Sequence, residues 1–311
     1  MSARILLWTA AGDALGVPFE GVEHPVEPVG MTGHARHGFA PGEWSDDTSL
    51  SVAIALAART GIEDGFLDRV AAWFVRWEQT SAKGIGPQTR HAIREGARLG
   101  ASAESLAHAA TTYRSKRSRI AGNGALMRSA VVGALSDDRD TVARLSREIC
   151  LLTHAHPDCV SSSVLWSEMV RCARLGEAVR PGLGFDLLAR EEVEKWRVLV
   201  HQAEHRSWDQ LVLANRSAVG AFQQSWALAS RSRGAVASLR SAVLGGGDTD
   251  TVAAITAPLV AMMHPSARLP VDWVRKLNGW PGIGATGLVK LGREIAPVPV
   301  AGSTWGHTGW A

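Results

Sequence analysis

The amino-acid sequence predicts an all-α fold, and three observations carry this expectation. Apolar residues recur at intervals of three and four along most of the chain, which is the period of amphipathic and buried helices. No segment shows the convincing alternation of apolar and polar residues that a half-buried strand needs. The 311 residues are 46% hydrophobic and 20% charged, so the chain has enough apolar material for a large core and is not disordered.

Helices are expected wherever this period runs between glycine-rich or basic loops. From the N-terminus, the periodic segments are 47–60, 66–80, 87–100, 138–155, 158–176, 190–204, 207–230 and 252–263. The expected loops are 41–44, 81–87, 114–124, 179–186, 244–248 and a C-terminal tail at 296–311. No fixed-period repeat and no long linker divides the chain, so we expect one domain over residues 1–311.

Composition narrows the class of protein. The net charge is +3 and the pI about 9.0, an excess too small to indicate nucleic-acid binding by itself. Three cysteines without a CxxC spacing argue against a disulfide framework or a zinc ribbon. Asp13 arrives too early for a full signal peptide, and no apolar run is long enough to span a bilayer. We therefore expect a soluble, cytoplasmic protein with no membrane partner, and a monomer.

Two short acidic clusters stand immediately before apolar segments of helical period. They comprise Ser45, Asp46, Asp47 and Thr48 in the first, and Asp248, Asp250 and Thr251 in the second. A helix cap explains one carboxylate at such a position, because one side chain satisfies free N–H groups of the first turn. It does not explain several acids and hydroxyls at two places. If the clusters meet, their repulsion requires cations, and these oxygen ligands suit Mg²⁺, Mn²⁺ or Ca²⁺ better than zinc or copper.

A third acidic position lies in AAGDALGVPFE, where Asp13 and Glu20 stand on either side of a Gly-Pro turn. Gly12 and Gly16 permit another backbone to approach closely, because neither carries a Cβ. Taken alone, Asp13 also fits a simpler interpretation, in which the carboxylate caps or braces the turn.

Five motifs occur in one order along the chain: AAGDALGVPFE, WSDDTSLSVAIAL, GNGALMRSA, LTHAHPD and GGDTDTVAAI. In these motifs the sequence resembles the ADP-ribosylglycohydrolases, of the dinitrogenase-reductase-activating glycohydrolase and ADP-ribosyl-acceptor hydrolase type. The resemblance runs from about Ala10 to about Trp273. It implies a compact, multi-helix all-α fold, with a binuclear Mg²⁺ or Mn²⁺ centre at helix N-termini in a central cleft. It also implies hydrolysis of the bond between the terminal ribose C1″ of ADP-ribose and an acceptor atom.

Carried over by position, the resemblance assigns a role to each motif. The metal ligands would be Ser45, Asp46, Asp47, Asp248, Asp250 and Thr251. Glu20 would be the mobile acidic residue near the metals, a candidate ligand or general base. From the chemistry of glycosidic cleavage we add the hypothesis that Glu20 or Asp47 takes a proton from water or gives one to the leaving group. The substrate-binding residues would be Gly122, Asn123, Gly124, His154 and His156. The loop residues would present backbone N–H groups to the diphosphate, while the first histidine contacts ADP-ribose and the second positions it.

Departures from the family pattern bear on the substrate. Ile120 and Ala121 stand where many relatives carry Ser or Thr and then an aromatic residue. Lys83 and Gly84 stand where relatives that process arginine-linked ADP-ribose often carry an acid, which weakens the case for a guanidinium leaving group. The basic residues of 114–119 form either a solvated loop or an electrostatic guide for a polyanionic substrate. These residues are Arg114, Lys116, Arg117 and Arg119.

Two other functions remain open at this stage. One is a catalytically altered ADP-ribose-binding protein on the same fold, and the other is a different Mg²⁺-dependent hydrolase of nucleotides or phosphoesters. For the leading interpretation, the substrate is an ADP-ribosylated protein, nucleic acid or small molecule, and the product is ADP-ribose. Arginine, serine, a nucleobase, O-acetyl-ADP-ribose and poly(ADP-ribose) all remain possible substrates or linkages, and two Mg²⁺ or two Mn²⁺ ions are equally compatible.

Overall fold

The computed structural model describes residues 1–117, 120–206, 210–211, 214–295 and 297. This part of the chain is mainly helical, which confirms the all-α class. Its α-helices are α1 (Ser2–Gly16), α2 (Asp46–Ala58), α3 (Phe66–Ser81), α4 (Pro87–Arg98), α5 (Ala103–Lys116), α6 (Arg139–Leu151), α7 (Pro157–Leu175), α8 (Val193–His205), α9 (Ala218–Ser230), α10 (Ala235–Leu244), α11 (Thr249–Met263), α12 (Val271–Lys276) and α13 (Ala285–Glu294). None of these helices combines the length and the apolar character that crossing a membrane requires.

Shorter elements connect them. The 3-10 helices are Val17–Phe19, Ala35–His37, Asn123–Arg128, Val132–Ala134, Pro181–Leu187 and Arg190–Glu192. Strands β1 (Asn278–Gly279) and β2 (Ile283–Gly284) form a small antiparallel hairpin. Each strand has only two residues, which is too short for the alternating pattern that would reveal a hairpin in the sequence.

Helices α1 and α11 pack against each other along their length at the centre of the molecule. A Cβ on Gly12 would lie 2.3 Å from the Ala253 carbonyl oxygen, and one on Gly16 would lie 2.4 Å from Asp250 Cα. The expected close approach of backbones at these glycines is therefore confirmed. Around this pair, α13 packs on α1, while α9 and α10 pack on α11 and α2 contacts both α1 and α3.

Several expected boundaries differ from the structure. The helix expected at 207–230 is interrupted at 214–217, and α9 begins at Ala218, where Ser217 caps it by accepting the Gly220 N–H at 3.0 Å. The loop expected at 114–124 starts inside α5, which continues to Lys116. The loop expected at 179–186 is mostly the 3-10 helix Pro181–Leu187. Except for Pro297, the tail at 296–311 lies outside the described residues.

Candidate metal centre and substrate cleft

The two acidic clusters meet where the N-termini of α2 and α11 lie against α1. Ser45 is the N-cap of α2, and its Oγ accepts the Asp47 N–H at 3.4 Å and donates to Asp47 Oδ2 at 2.9 Å. Thr251 Oγ1 donates to the same Asp47 oxygen across 3.5 Å, so the clusters are linked directly. Capping is therefore observed at Ser45, but it does not account for Asp46, Asp47, Asp248 or Asp250.

Asp13 forms hydrogen bonds with the first turn of α2. Its carboxylate accepts the Ser45 N–H at 2.9 Å, the Thr48 N–H at 2.9 Å and the Thr48 hydroxyl at 2.7 Å. The side chain is fully buried, and its position in α1 is fixed by the packing of Gly12 and Gly16 on α11. Asp13 therefore does brace a helix end, as the simpler interpretation expects, and it does so inside the acidic centre.

The carboxylates form two groups that share Asp250. Oxygens of Asp13, Asp47 and Asp250 lie within 4.8 Å of one another, and so do oxygens of Glu20, Asp248 and Asp250. The first group is buried, whereas Glu20 and Asp248 of the second are partly exposed. This arrangement has the form of two adjoining oxygen-ligand sites, one under the surface and one facing the cleft.

Burial and mutual repulsion disfavour the charged forms of these acids. Burial raises the pKa of Asp46 to about 8, with Asp13 and Asp248 adding to the shift. Burial likewise raises the pKa of Asp13 to about 6, against the opposing effect of its Thr48 and Ser45 hydrogen bonds. The pKa values of Asp47 and Asp250 are also well above the ordinary range, because each is buried and faces other carboxylates. Positive charge bound at this centre would therefore favour the ionised forms of these carboxylates.

One carboxylate oxygen indicates where a cation could bind. Asp47 Oδ1 is buried and has no hydrogen-bond partner within the described part of the chain. An ionised oxygen in that state carries a desolvation cost that a divalent cation would remove. The surrounding donors are carboxylate and hydroxyl oxygens, the ligand types that Mg²⁺ and Mn²⁺ prefer. The residues present therefore fit a hard divalent metal.

A cleft of about 410 Å³ opens over the centre. Its lining includes the acids Glu20, Asp46, Asp248 and Asp250. It also includes the segments 84–89 and 122–124 and His154. A second cavity of about 1090 Å³ adjoins it and shares Ile120, Gly122 and Arg216 with its lining. Ser45 and Asp47 do not line the cleft in the described part of the chain, because they lie beneath it.

The Gly122–Gly124 loop is held by hydrogen bonds on both sides. The Gly122 N–H points to Gln88 Oε1 at 3.4 Å, and the Asn123 N–H donates to the Arg216 carbonyl at 3.3 Å. The Asn123 side chain donates to the Asn215 carbonyl at 2.9 Å and to Asp248 Oδ2 at 2.8 Å. Two backbone donors expected for the diphosphate thus already have protein partners, and Asn123 instead connects this loop to the acidic centre.

The two histidines of LTHAHPD occupy different positions. His154 is buried against the Gly122–Gly124 loop and lines the cleft, and burial holds its pKa well below the ordinary value. His156 is the N-cap of α7, where its Nδ1 accepts the Asp158 N–H at 3.1 Å. The cap places His156 outside the described lining of the cleft, so its contact with a substrate would be indirect.

Positions at which the sequence departs from the family pattern also have structural roles. A Cβ on Gly84, whose φ is +77°, would lie 2.7 Å from Asp46 Oδ1, so a glycine here keeps the cleft wall clear of that acid. In the basic segment, Arg114 donates to the Ala155 carbonyl at 2.9 Å, and Arg117 lies 4.7 Å from the centre of the Tyr113 ring. Arg119 lies outside the described residues.

Asn215 and Arg216 belong to the site, although nothing in the sequence singles them out. Asn215 is buried and donates to the Gly246 carbonyl at 2.9 Å, while its Oδ1 accepts the Asp248 N–H at 3.2 Å. It therefore joins the Gly245–Gly247 turn to the Gly122–Gly124 loop. The two residues fall inside a segment whose periodicity predicts a helix. These partners of Asn215 lie 31 to 92 positions away, so periodicity carries no signal of these contacts.

Comparisons with known proteins bear on the family and the fold of the chain. The model of the ADP-ribosylglycohydrolase family matches residues 3–300. The ADP-ribosylarginine hydrolase Tri1 of Serratia proteamaculans is 25% identical over 290 residues, covering 88% of this chain and 74% of that protein. An uncharacterized protein of Archaeoglobus fulgidus is 31% identical over 99 residues, covering 28% of this chain and 31% of that protein. A solved structure described as an ADP-ribosylglycohydrolase-related protein complex superposes with a TM-score of 0.71 at 23% identity, covering 94% of this chain and 96% of its own, which shows the shared fold.

Proposed function

The chain belongs to the ADP-ribosylglycohydrolase family, and from this premise we propose that it is a metal-dependent hydrolase that releases ADP-ribose. The bond cleaved joins the terminal ribose C1″ of ADP-ribose to an acceptor atom. One observation carries the proposal: two groups of carboxylates share Asp250 under a cleft whose other wall holds the Gly122–Gly124 loop and His154.

The metal-holding residues of the proposal are two sets of oxygen donors at the ends of α2 and α11. They are Ser45, Asp46, Asp47, Asp248, Asp250 and Thr251, to which the structure adds Asp13 as a neighbouring carboxylate. Two Mg²⁺ or Mn²⁺ ions bound there would offset the acidic charge and polarise the oxygens of water and of the vicinal ribose hydroxyls. The buried, unpartnered Asp47 Oδ1 supports the fit.

Glu20 is the better placed of the two proposed proton carriers. It lines the cleft with a side chain that is 30% exposed, whereas Asp47 is 1% exposed and lies under the surface. Partial burial and the neighbouring Asp248 raise the pKa of Glu20, which favours exchange of a proton with water or a leaving group. A Glu20→Gln variant should therefore lose at least about 100-fold in kcat, within the range of general acid–base catalysis. Full turnover by this variant would assign the proton transfer elsewhere.

Arg216 is the proposed contact for the diphosphate. It lines both cavities, and no other Arg or Lys in the described part of the chain lines either of them. Its side chain reaches the Glu20–Gly21 turn, where a Cβ on Gly21 would lie 3.7 Å from Nη2. A guanidinium binds phosphate oxygens in a forked geometry, so a substrate with the terminal ribose over the acids would place its diphosphate beside Arg216.

Product analysis over a panel of substrates tests the proposal. Arginine-, serine-, thymidine- and guanosine-linked mono-ADP-ribose, O-acetyl-ADP-ribose and poly(ADP-ribose) are each incubated with Mg²⁺, Mn²⁺ or EDTA, and the products are separated by liquid chromatography with mass detection. Free ADP-ribose released from one linkage with metal and not with EDTA supports the proposal and names the acceptor. AMP or ribose phosphate as product would make the protein a phosphoester hydrolase. ADP-ribose binding without release from any substrate would make it a binding protein.

A further inference from the structure

Beneath the cleft, a buried arginine, a threonine and His154 form a chain of hydrogen bonds. Arg128 is fully buried and donates from Nη2 to Thr153 Oγ1 at 2.6 Å and from Nη1 to the Gly124 carbonyl at 2.8 Å. Thr153 Oγ1 in turn lies 2.7 Å from His154 Nδ1. Thr153 is completely buried, so its hydroxyl cannot exchange these partners for solvent.

The chemistry of the three groups fixes the direction of this chain. A guanidinium only donates, so Thr153 Oγ1 accepts from Arg128. The threonine hydroxyl has one hydrogen of its own, and within the described part of the chain its one acceptor is His154 Nδ1. If Nδ1 carried a proton, the threonine hydrogen would be buried without an acceptor, which native structures avoid. Nδ1 is therefore the acceptor, and in the neutral ring the proton is on Nε2.

The protonated nitrogen, Nε2, lies on the side of the ring that faces the cleft. A Cβ on Gly124 would lie 3.1 Å from His154 Nε2, and one on Gly122 would lie 3.6 Å from it, so the absence of both side chains leaves this atom uncovered. His154 also lines the cleft. Burial, with Arg128 adding to it, lowers the pKa of His154 well below its ordinary value, which keeps the ring neutral at physiological pH.

We propose that Arg128 and Thr153 are positioning residues that lock His154 in its neutral Nε2–H form, so that it donates one hydrogen bond to a substrate oxygen. Its partner on the ligand is a phosphate or hydroxyl oxygen, an identification that rests on the proposed function. A histidine held in this form is not a general base, because Nε2 already carries a proton and Nδ1 is occupied by the threonine.

Nitrogen NMR of the free protein, labelled with ¹⁵N at histidine, tests the tautomer without any substrate. The His154 signals are identified by their loss in a His154→Asn variant and by the absence of titration between about pH 5 and 8. The proposal expects Nε2 to be protonated and Nδ1 unprotonated in the wild type. A wild-type protein with the proton on Nδ1 overturns the inference, whatever the enzyme assays give.

Two matched substitutions extend the test to function. Thr153→Val removes the hydroxyl at nearly constant volume and should convert part of His154 to the Nδ1–H form, while Thr153→Ser keeps the hydroxyl and the tautomer. By calorimetry, Thr153→Val should weaken ADP-ribose binding about 10-fold, the size expected for one hydrogen bond to an anion, and Thr153→Ser should not. An unchanged tautomer and affinity in Thr153→Val overturn the positioning role. Failure of the wild type to bind ADP-ribose would instead reject the proposed function and leave the tautomer result standing.

Discussion

Asp250 is the residue on which the candidate metal centre depends most. Its oxygens take part in both groups of carboxylates, and its backbone is held 2.4 Å from where a Cβ on Gly16 would lie. Removing its charge should therefore impair both sites, whereas loss of an acid in one group would leave the other intact.

We expect an Asp250→Asn variant to bind Mn²⁺ at least about 100-fold more weakly than the wild type, because one ligand common to both sites loses its negative charge. Calorimetric titration of metal-free protein with Mn²⁺ measures this. Asp272→Asn makes the same chemical change on the exposed helix α12 and should bind as the wild type does. Equal affinity of the Asp250 variant and the wild type would remove Asp250 from the ligand set.

Arg216, the proposed contact for the diphosphate, should affect substrate binding more than turnover. Arg216→Gln should raise the KM for an ADP-ribosylated substrate about 10-fold and reduce its salt dependence, with little change in kcat, because the guanidinium lies away from the reacting carbon. Arg197→Gln, on the exposed face of α8, serves as the matched control and should leave KM unchanged. Steady-state kinetics at two salt concentrations gives both quantities, and a change in kcat alone would argue against a diphosphate contact.

The contact of helix α1 with helix α11 determines where the acids lie. Gly16→Ala should lower the free energy of unfolding by about 3 kcal/mol, because the new Cβ would meet the Asp250 backbone, and this outweighs the gain of about 1 kcal/mol in helix propensity. Urea unfolding measures the difference. Gly30→Ala is the control, since a Cβ there has no heavy atom within 4 Å. Comparable stability of the two variants would show that the helices separate at little cost.

The sequence predicts the starts of several helices where local chemistry defines them, but α1, α5, α10, α12 and α13 lie outside the expected segments. The expected segments 47–60, 138–155 and 158–176 begin within one residue of α2, α6 and α7, because the caps Ser45 and Asp138 and the first-turn Pro157 act within three residues. The acidic clusters were also predictable, since each precedes its own buried helix. Asn215 was not, because its role consists of contacts with Asn123 and Asp248 that only the folded chain brings together. The roles assigned to the individual site residues stay predictions.

For the molecule as a whole, the acidic centre should make stability depend on pH when metal is absent. The pKa of Asp13 is about 6 and that of Asp46 about 8 in the folded chain, both above the ordinary value of 3.8. Such groups bind protons more tightly when folded, so their contribution is complete below about pH 4 and is lost as pH rises through 6 and 8. Each group can remove up to about 1.4 kcal/mol per pH unit, but only between about pH 4 and its own pKa in the folded chain.

We therefore expect the melting temperature of the protein in EDTA to fall between about pH 5 and pH 8, and Mg²⁺ or Mn²⁺ to restore more of it at the higher pH. Differential scanning fluorimetry at matched ionic strength measures this, with the Asp250→Asn variant as the control that should respond less to metal. A metal-free melting temperature that is constant or rises over this range would contradict the electrostatic description of the centre.

We propose that the joined acidic clusters form a metal centre for releasing ADP-ribose, and a comparison of activity between three proteins decides whether they do. ADP-ribose release from the preferred linkage is followed for the wild type, Asp250→Asn and Asp272→Asn, each with Mn²⁺, Mg²⁺ or EDTA. A metal centre at these clusters predicts release by the wild type and by Asp272→Asn with metal only, and none by Asp250→Asn under any condition. Release that is equally fast in EDTA, or in the Asp250→Asn variant, would contradict it.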